Sequence, residues 1–226
     1  PALAFNAGVQ SGTWGSLTLA ADGTWGYALG PAAQALSGGQ VVTDKFTVTL
    51  NDGSTTTVTI TVTGTDDAPV ISTGTGEVTE DTSATTGGKL TAIDIDNPAL
   101  AFNAGSQAGT WGSLTLAADG TWSYTLGPAA QALAGGQVVT DKFSVTLTDG
   151  STTTVTVTVN GTNDAPVIDL DANNSSGATG ADYQGAFVAG AGPVRIVDAD
   201  VGVTDLDSAV LKGATVTLTN AKAGDL

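Results

Sequence analysis

The sequence predicts an all-β chain of tandem β-sandwich modules joined by acidic linkers. Three observations carry that expectation. The first is a long-period repeat: GTDDAPVI at Gly64–Ile71 returns as GTNDAPVI at Gly161–Ile168, an interval of 161 − 64 = 97 residues. PALAFNAG at Pro1 returns at Pro98, GTWGSLTLAADGTW at Gly12 returns at Gly109, and GPAAQAL at Gly30 returns at Gly127. About ten positions differ over the shared stretch, which marks near-identical units. A period this long exceeds a solenoid repeat and matches one small domain. The second observation is strict apolar/Thr alternation in short runs, the pattern of half-buried strands. The third is the turn chemistry, with Asp-Gly closing each tight loop.

Within the middle unit, PVIST and GEVTE read as a broken first strand, KLTAIDI as the second and LAFNA as the third. TWGSLTL and TWSYTL form a hairpin across AADG, and FSVTL pairs with TTTVTVTV across TDGS. That makes seven short strands at sandwich spacing. PAAQALAGG is the single helical hint, opened by Pro and closed by Gly-Gly. Parity sends Leu114, Leu116, Trp122, Tyr124 and Leu126 inward, with Phe143, Val145, Leu147, Val155, Val157 and Val159. Outward positions are mostly Thr and Ser. Trp122 and its repeat mate Trp25 read as core. Trp111 and Trp14 have the other parity, which points them outward, either to cover a strand edge or to stack on a sugar as ligand-binding residues.

The repeat divides the chain into three parts. Residues 1–66 are the C-terminal part of one module, 67–163 a complete module, and 164–226 the N-terminal part of a divergent one. The chain therefore reads as a piece of a longer protein. Net charge is −16, with six basic residues, which argues against nucleic acid and anionic membrane surfaces as partners. No Cys or His is present, so disulfides and zinc sites are excluded. Neither a signal peptide nor a membrane span is visible.

The acids are not spread evenly. Tracing a seven-strand Greek key from pole to pole gathers them at the joints. Asp44, Asp66, Asp67, Asp94, Asp96 and Asn97 fall between the first and second modules. Glu80, Asp81, Asp141, Asn163 and Asp164 fall between the second and third, with Asp205 and Asp207 from VTDLDS, which matches AIDIDN. Asp198 and Asp200 in VDADV then lie at the far pole of the third module; alternatively they are the loop that faces this joint. Two carboxylates about 6 Å apart repel by roughly 0.7 kcal/mol even in water. A hard divalent cation removes that cost. Ca²⁺ takes six to eight oxygens in flexible geometry, whereas Mg²⁺ demands a strict octahedron. Asp119 and Asp149 read instead as solvated turn residues.

GTNDAPVI, VTEDT, the DIDN loop and the GTWGSLTLAADGTWSYTL hairpin together resemble the VCBS-type, cadherin-like repeats of giant bacterial surface adhesins. The resemblance covers residues 1–168, and residues beyond it resemble the divergent cadherin-like modules of the same proteins. It implies an array of Ig-like/cadherin-like β-sandwiches, secreted by a type I (RTX-type) system to the bacterial cell surface and rigidified by calcium at its joints. It also implies roles for Glu80, for Asp94 and Asp96 as the DxD pair, and for Asn163 and Asp164 as the linker around the ion. Two positions depart from the pattern. Asp66 stands where the second linker has Asn163, so the joints can differ in ion count. FVAGAG stands where the third module should carry an acid.

The expected function is mechanical: spacer modules of an adhesin, supporting cell adhesion or biofilm formation, with neighbouring modules of the same chain as partners. The alternative is a ligand-binding module for glycans or for another adhesin copy, through Trp14 and Trp111. An enzyme is not expected, since paired carboxylates at domain ends leave no cleft for glycoside chemistry. Lys45 and Lys142, each following an Asp, could begin an intramolecular Lys–Asn crosslink, although no partner is evident.

Overall fold

A computed structural model describes residues 2–186, 188 and 190–217. The first part contains β1 (Gly8–Ser11), β2 (Gly15–Leu19), β3 (Trp25–Leu29), β4 (Val41–Thr49) and β5 (Thr55–Thr63). The middle part contains β6 (Val70–Ile71), β7 (Gly74–Thr79), β8 (Thr85–Lys89), β9 (Ala92–Ile93), β10 (Gly105–Ala108), β11 (Gly112–Leu116), β12 (Thr121–Leu126), β13 (Val138–Thr146) and β14 (Thr152–Asn160). Beyond it lie β15 (Val167–Asp169) and β16 (Gly202–Thr204). Two short 3-10 helices, Pro31–Ala35 and Pro128–Ala132, are the only helices among the described residues. The fold is all-β, with the middle part built as an open two-sheet sandwich.

Two sheets face each other in the middle part. One is four-stranded, in the order β10-β11-β12-β8. The other is three-stranded, β13-β14-β7, with β7 parallel to β14 and every other pairing antiparallel. A short β6-β9 pair closes one end. Alternation sets the core as the sequence requires. Leu114, Leu116, Trp122 and Tyr124 meet Phe143, Val145, Leu147, Val155, Val157 and Val159 in one apolar cluster. Each fully buried Val or Leu contributes about 1.5–3 kcal/mol. Gly120 ends the Ala-Ala-Asp-Gly turn at φ 85°, where a side chain would run into the Leu90 carbonyl and the Phe102 ring.

Several elements differ from expectation. Within LAFNA the one strand pairing is the isolated bridge of Phe102 to Leu147; the edge strand follows immediately after it, at β10, where Ser and Gln hide any apolar alternation. KLTAIDI is two strands, β8 and β9, and β8 begins earlier, at Thr85. The helical hint is a single 3-10 segment that ends at Ala132, before the Gly-Gly. β13 runs from Val138 rather than Phe143, which places Asp141 inside a strand instead of ahead of it.

The largest difference is at Trp25. Trp122 is 3% exposed, whereas Trp25 is 50% exposed and lies outside the core. In the middle part β7 and β8 lie over the indole, with Gly74, Gly76 and Gly88 close around it. Residues 2–66 form a three-stranded sheet β1-β2-β3 and a two-stranded sheet β4-β5, with no counterpart of β7 or β8. Their apolar side chains fall into two smaller clusters.

Candidate metal centres

The structure takes the Asp44 and Asp141 carboxylates up in hydrogen bonds to their own hairpins rather than bringing them to the linker acids. Asp141 is buried within β13. Its Oδ1 accepts the Thr110 amide at 2.9 Å, and its Oδ2 accepts the Trp111 and Gly112 amides and the Tyr124 hydroxyl at 3.0, 3.1 and 2.8 Å. Asp44 holds the same set from Thr13, Trp14, Gly15 and Tyr27. Burial pushes the Asp44 carboxyl up, but the Tyr27 hydroxyl and these amides outweigh it and hold it below the usual range. Burial, then the hydrogen bond to Asp44, push Tyr27 up to about 12. Both acids therefore anchor the loop entering a hairpin strand. The same loop corrects the tryptophans. Trp14 and Trp111 stand just before β2 and β11, where strand parity does not apply, and both are half-buried against apolar clusters rather than displayed.

Joint acids come together in two places. In the first, Asp94 Oδ1 accepts the amides of Asp96 and Asn97, a tight turn that aims the Asp96 carboxylate back at the linker. The Asp67 amide donates to Asp96 Oδ2 at 3.2 Å, and the Ser37 hydroxyl donates to the Asp96 carbonyl at 2.9 Å. Asp96 is 6% exposed, and its Oδ1 is buried with no partner. The Asp94 carboxyl beside it, then burial and the charges of Asp94 and Asp66, raise its pKa against the Asp67 amide.

Glu80 is the centre of the second. It follows β7 and is fully buried, its Oε2 accepting the Thr162 amide at 3.2 Å while Oε1 has no partner. Burial raises its pKa, and Asp164, Asp81 and Asp207 add to that rise, against the Thr162 amide. The Thr162 hydroxyl donates to Asp81 Oδ2 at 3.0 Å. The Asp164 amide donates to Asp207 Oδ2 at 3.3 Å, while Asp205 Oδ1 accepts the amides of Asp207 and Ser208. Asp164 Oδ2 and Asp207 Oδ1 are also buried and unpartnered. Burial, then Asp81, Asp207 and Asp205, raise the pKa of Asp164. Asn163 is exposed; its amide nitrogen donates to the Asp164 carbonyl at 2.7 Å. No basic group compensates: among the described residues the one ion pair is Lys89–Asp119, at 3.2 Å on the surface.

A third cluster was missed by sequence reasoning. Asp171, fully buried, brings its carboxylate within 4.8 Å of those of Asp198 and Asp200. Its oxygens accept the Ser175 and Ser176 amides. The visible signal is the alternation of oxygen-bearing residues Asp169, Asp171, Asn173 and Ser175 in DLDANNSS. The fold brings Asp198 and Asp200 to this loop, while Asp207, held by Asp205, meets the linker at Asp164. FVAGAG lies partly outside the described residues.

All the joint donors are oxygens, the set a Ca²⁺ ion takes, and each joint holds a buried carboxylate oxygen with nothing to satisfy it. Residues 66–161 match the bacterial cadherin-like domain family. The middle module is thus the part of the chain that is similar to that family. Its match spans the first linker, both sheets and the close of β14. No curated protein sequence matches the chain. Solved structures similar to it include the protocadherin GammaB4 extracellular domain, at 11% identity and TM-score 0.37, covering 73% of this chain and 29% of that one. Drosophila N-cadherin EC1-3 shares 13% identity at TM-score 0.30, over 70% of this chain and 54% of that one. The human desmocollin-1 ectodomain shares 13% identity at TM-score 0.33, over 76% and 36%. The chain thus spans less than two thirds of each.

Proposed function

We propose that the chain is a run of extracellular spacer modules from a bacterial surface adhesin of the VCBS-repeat kind, with joints stiffened by calcium. The observation that carries this reading is Glu80: a fully buried carboxylate with an orphaned oxygen, facing Asp81, Asp164 and Asp207, with no basic side chain among the described residues paired to them. Such a group is unfavourable unless a cation or a proton neutralises it. Glu80, Asp81, Asp164, Asp205 and Asp207 would hold calcium at the second joint. Asp66, Asp67, Asp94 and Asp96 would hold it at the first, with Asn97 beside them. A bound ion supplies the positive charge that ties the acids of one module to those of the next. The module cores, closed by apolar packing, do not depend on it.

Mechanically, the linkers GTDDAP and GTNDAP become fixed rather than free, and the array projects whatever lies beyond it. Among the described residues no helix is long and apolar enough to cross a membrane. Small-angle scattering in millimolar calcium and in excess EDTA tests the reading. A longer maximum dimension in calcium supports it, and an unchanged one rejects it.

A further inference from the structure

Tension applied at the two linkers of the middle module reaches two particular strands. Past the short β6, β7 is the first strand after the entry linker GTDDAP, and β14 is the last before the exit linker GTNDAP. These two strands pair with each other, and they pair in parallel. Gly74 stands opposite Val155 and Thr79 opposite Asn160, six residue pairs in all. Pulling on the linkers therefore draws β7 back from its Gly74 end and β14 forward from its Asn160 end, in opposite senses along one axis. The evenly spaced bonds of a parallel ladder are then loaded together. A load across the strands would instead open them one at a time. The β6–β9 pair, nearer the entry linker, holds only two residue pairs and yields first. β13 is joined to β14 by the Asp149 turn and moves with it.

We propose that the β7–β14 pair is a shear clamp that carries tension through the middle module. Side chains stitch it at both ends. The Thr153 hydroxyl donates to the Ser72 carbonyl at 2.8 Å. At the other end the Asn160 side-chain amide donates to the Glu77 carboxylate at 2.7 Å and to the Val78 carbonyl at 3.3 Å. The Glu80 amide donates to the Asn160 carbonyl at 3.0 Å, which extends the ladder past Thr79. On the core side Val78, Val155, Val157 and Val159 are buried, which keeps water from competing for the ladder. Glycine lets the β7 backbone lie flat on that core: a Cβ at Gly74 would stand 3.0 Å from a Val155 methyl, and one at Gly76 would stand 2.9 Å from the Trp122 ring. Strength comes from the direction of the load rather than from the number of bonds, so the same ladder is weak across the strands. The clamp's use in the organism rests on the spacer reading, whereas its mechanics rest on the strand register alone.

The test pulls the full chain in EDTA through two introduced cysteines, since the chain has none of its own. Thr65→Cys with Ala165→Cys loads the clamp end to end. Thr65→Cys with Asp149→Cys places both handles at the Gly74–Val155 end and loads it across the strands. At one fixed load the end-to-end axis should unfold at least about tenfold more slowly than the crosswise axis. Asn160→Ala with Thr153→Val should speed end-to-end unfolding by at least about tenfold. Gln107→Ala removes a bond from β10 to the Ser144 carbonyl, outside the clamp, and should change that rate by less than about twofold. Equal rates on the two axes, an end-to-end rate unmoved by Asn160→Ala with Thr153→Val, or an equal acceleration by Gln107→Ala would each overturn the proposal. Calcium is absent throughout, so a failed clamp shows in these rates and a failed calcium joint shows in the scattering.

Discussion

Tyr124 donates its hydroxyl to Asp141 across 2.8 Å, and Tyr27 repeats that bond to Asp44 at the same distance. Two sheets meet at this bond. Tyr124 belongs to β12 in the four-stranded sheet and Asp141 to β13 in the other. The three amides on the same carboxylate fix the loop before β11, so one acid ties sheet to sheet and loop to strand.

Removing that acid should be among the most damaging single changes in the middle module. Asp141→Ala strands three amides and a hydroxyl, and is expected to cost about 3 kcal/mol or more. Tyr124→Phe removes one bond to a charged group, for about 1.5–3 kcal/mol. Urea unfolding of the two variants measures both. A cost below that of an ordinary surface change would mean that the network is dispensable.

Calcium removal should separate rod from core. In EDTA the maximum dimension should shrink or broaden, while the cooperative unfolding of the middle module persists. Extracellular calcium modules bind at about 10⁻⁴–10⁻³ M, so at millimolar calcium each ion adds only about 0.4–1.4 kcal/mol. Asp94→Asn with Asp96→Asn should loosen the first joint and spare the second, whereas Glu80→Gln should act on the second alone. Calorimetric titration of each variant counts the sites lost.

The joints should also respond to pH, with a sign that calcium inverts. Glu80, Asp96 and Asp164 have raised pKa values in the folded chain. Such a group favours the folded state fully below its ordinary value, about 4, and loses that contribution as pH rises through the raised one. In chelator the joints should therefore be tighter near about pH 4 than at neutrality. In calcium they should tighten upward, since the metal competes with protons. Scattering across this range, with and without EDTA, distinguishes the two slopes.

Acrylamide should quench Trp25 far more than Trp122, which is enclosed by β7 and β8. Single-tryptophan variants report each residue separately. Trp122→Ala should cost about 3–5 kcal/mol, and Trp25→Ala much less. Equal quenching would show that the two repeats are covered alike.

The sequence by itself determined the repeat, the β class, the inward set from Leu114 to Val159 and the presence of acids in the linkers. These are local properties: period-two alternation, Asp-Gly turns and near-identical strings need no distant partner to be read. Tertiary structure decided which of two repeat-mate tryptophans is covered, because Trp25 and Trp122 stand in near-identical strings, GTWGYAL and GTWSYTL, and β7 and β8 lie over Trp122. Structure alone also drew Asp44 and Asp141 inward, since a carboxylate on a strand is indistinguishable in sequence from one in a loop until the amides that bind it, some thirty residues earlier in the chain, are folded against it. The Asp171 cluster was hidden for the same reason: its carboxylates come from segments more than twenty residues apart, brought within 4.8 Å only by the fold.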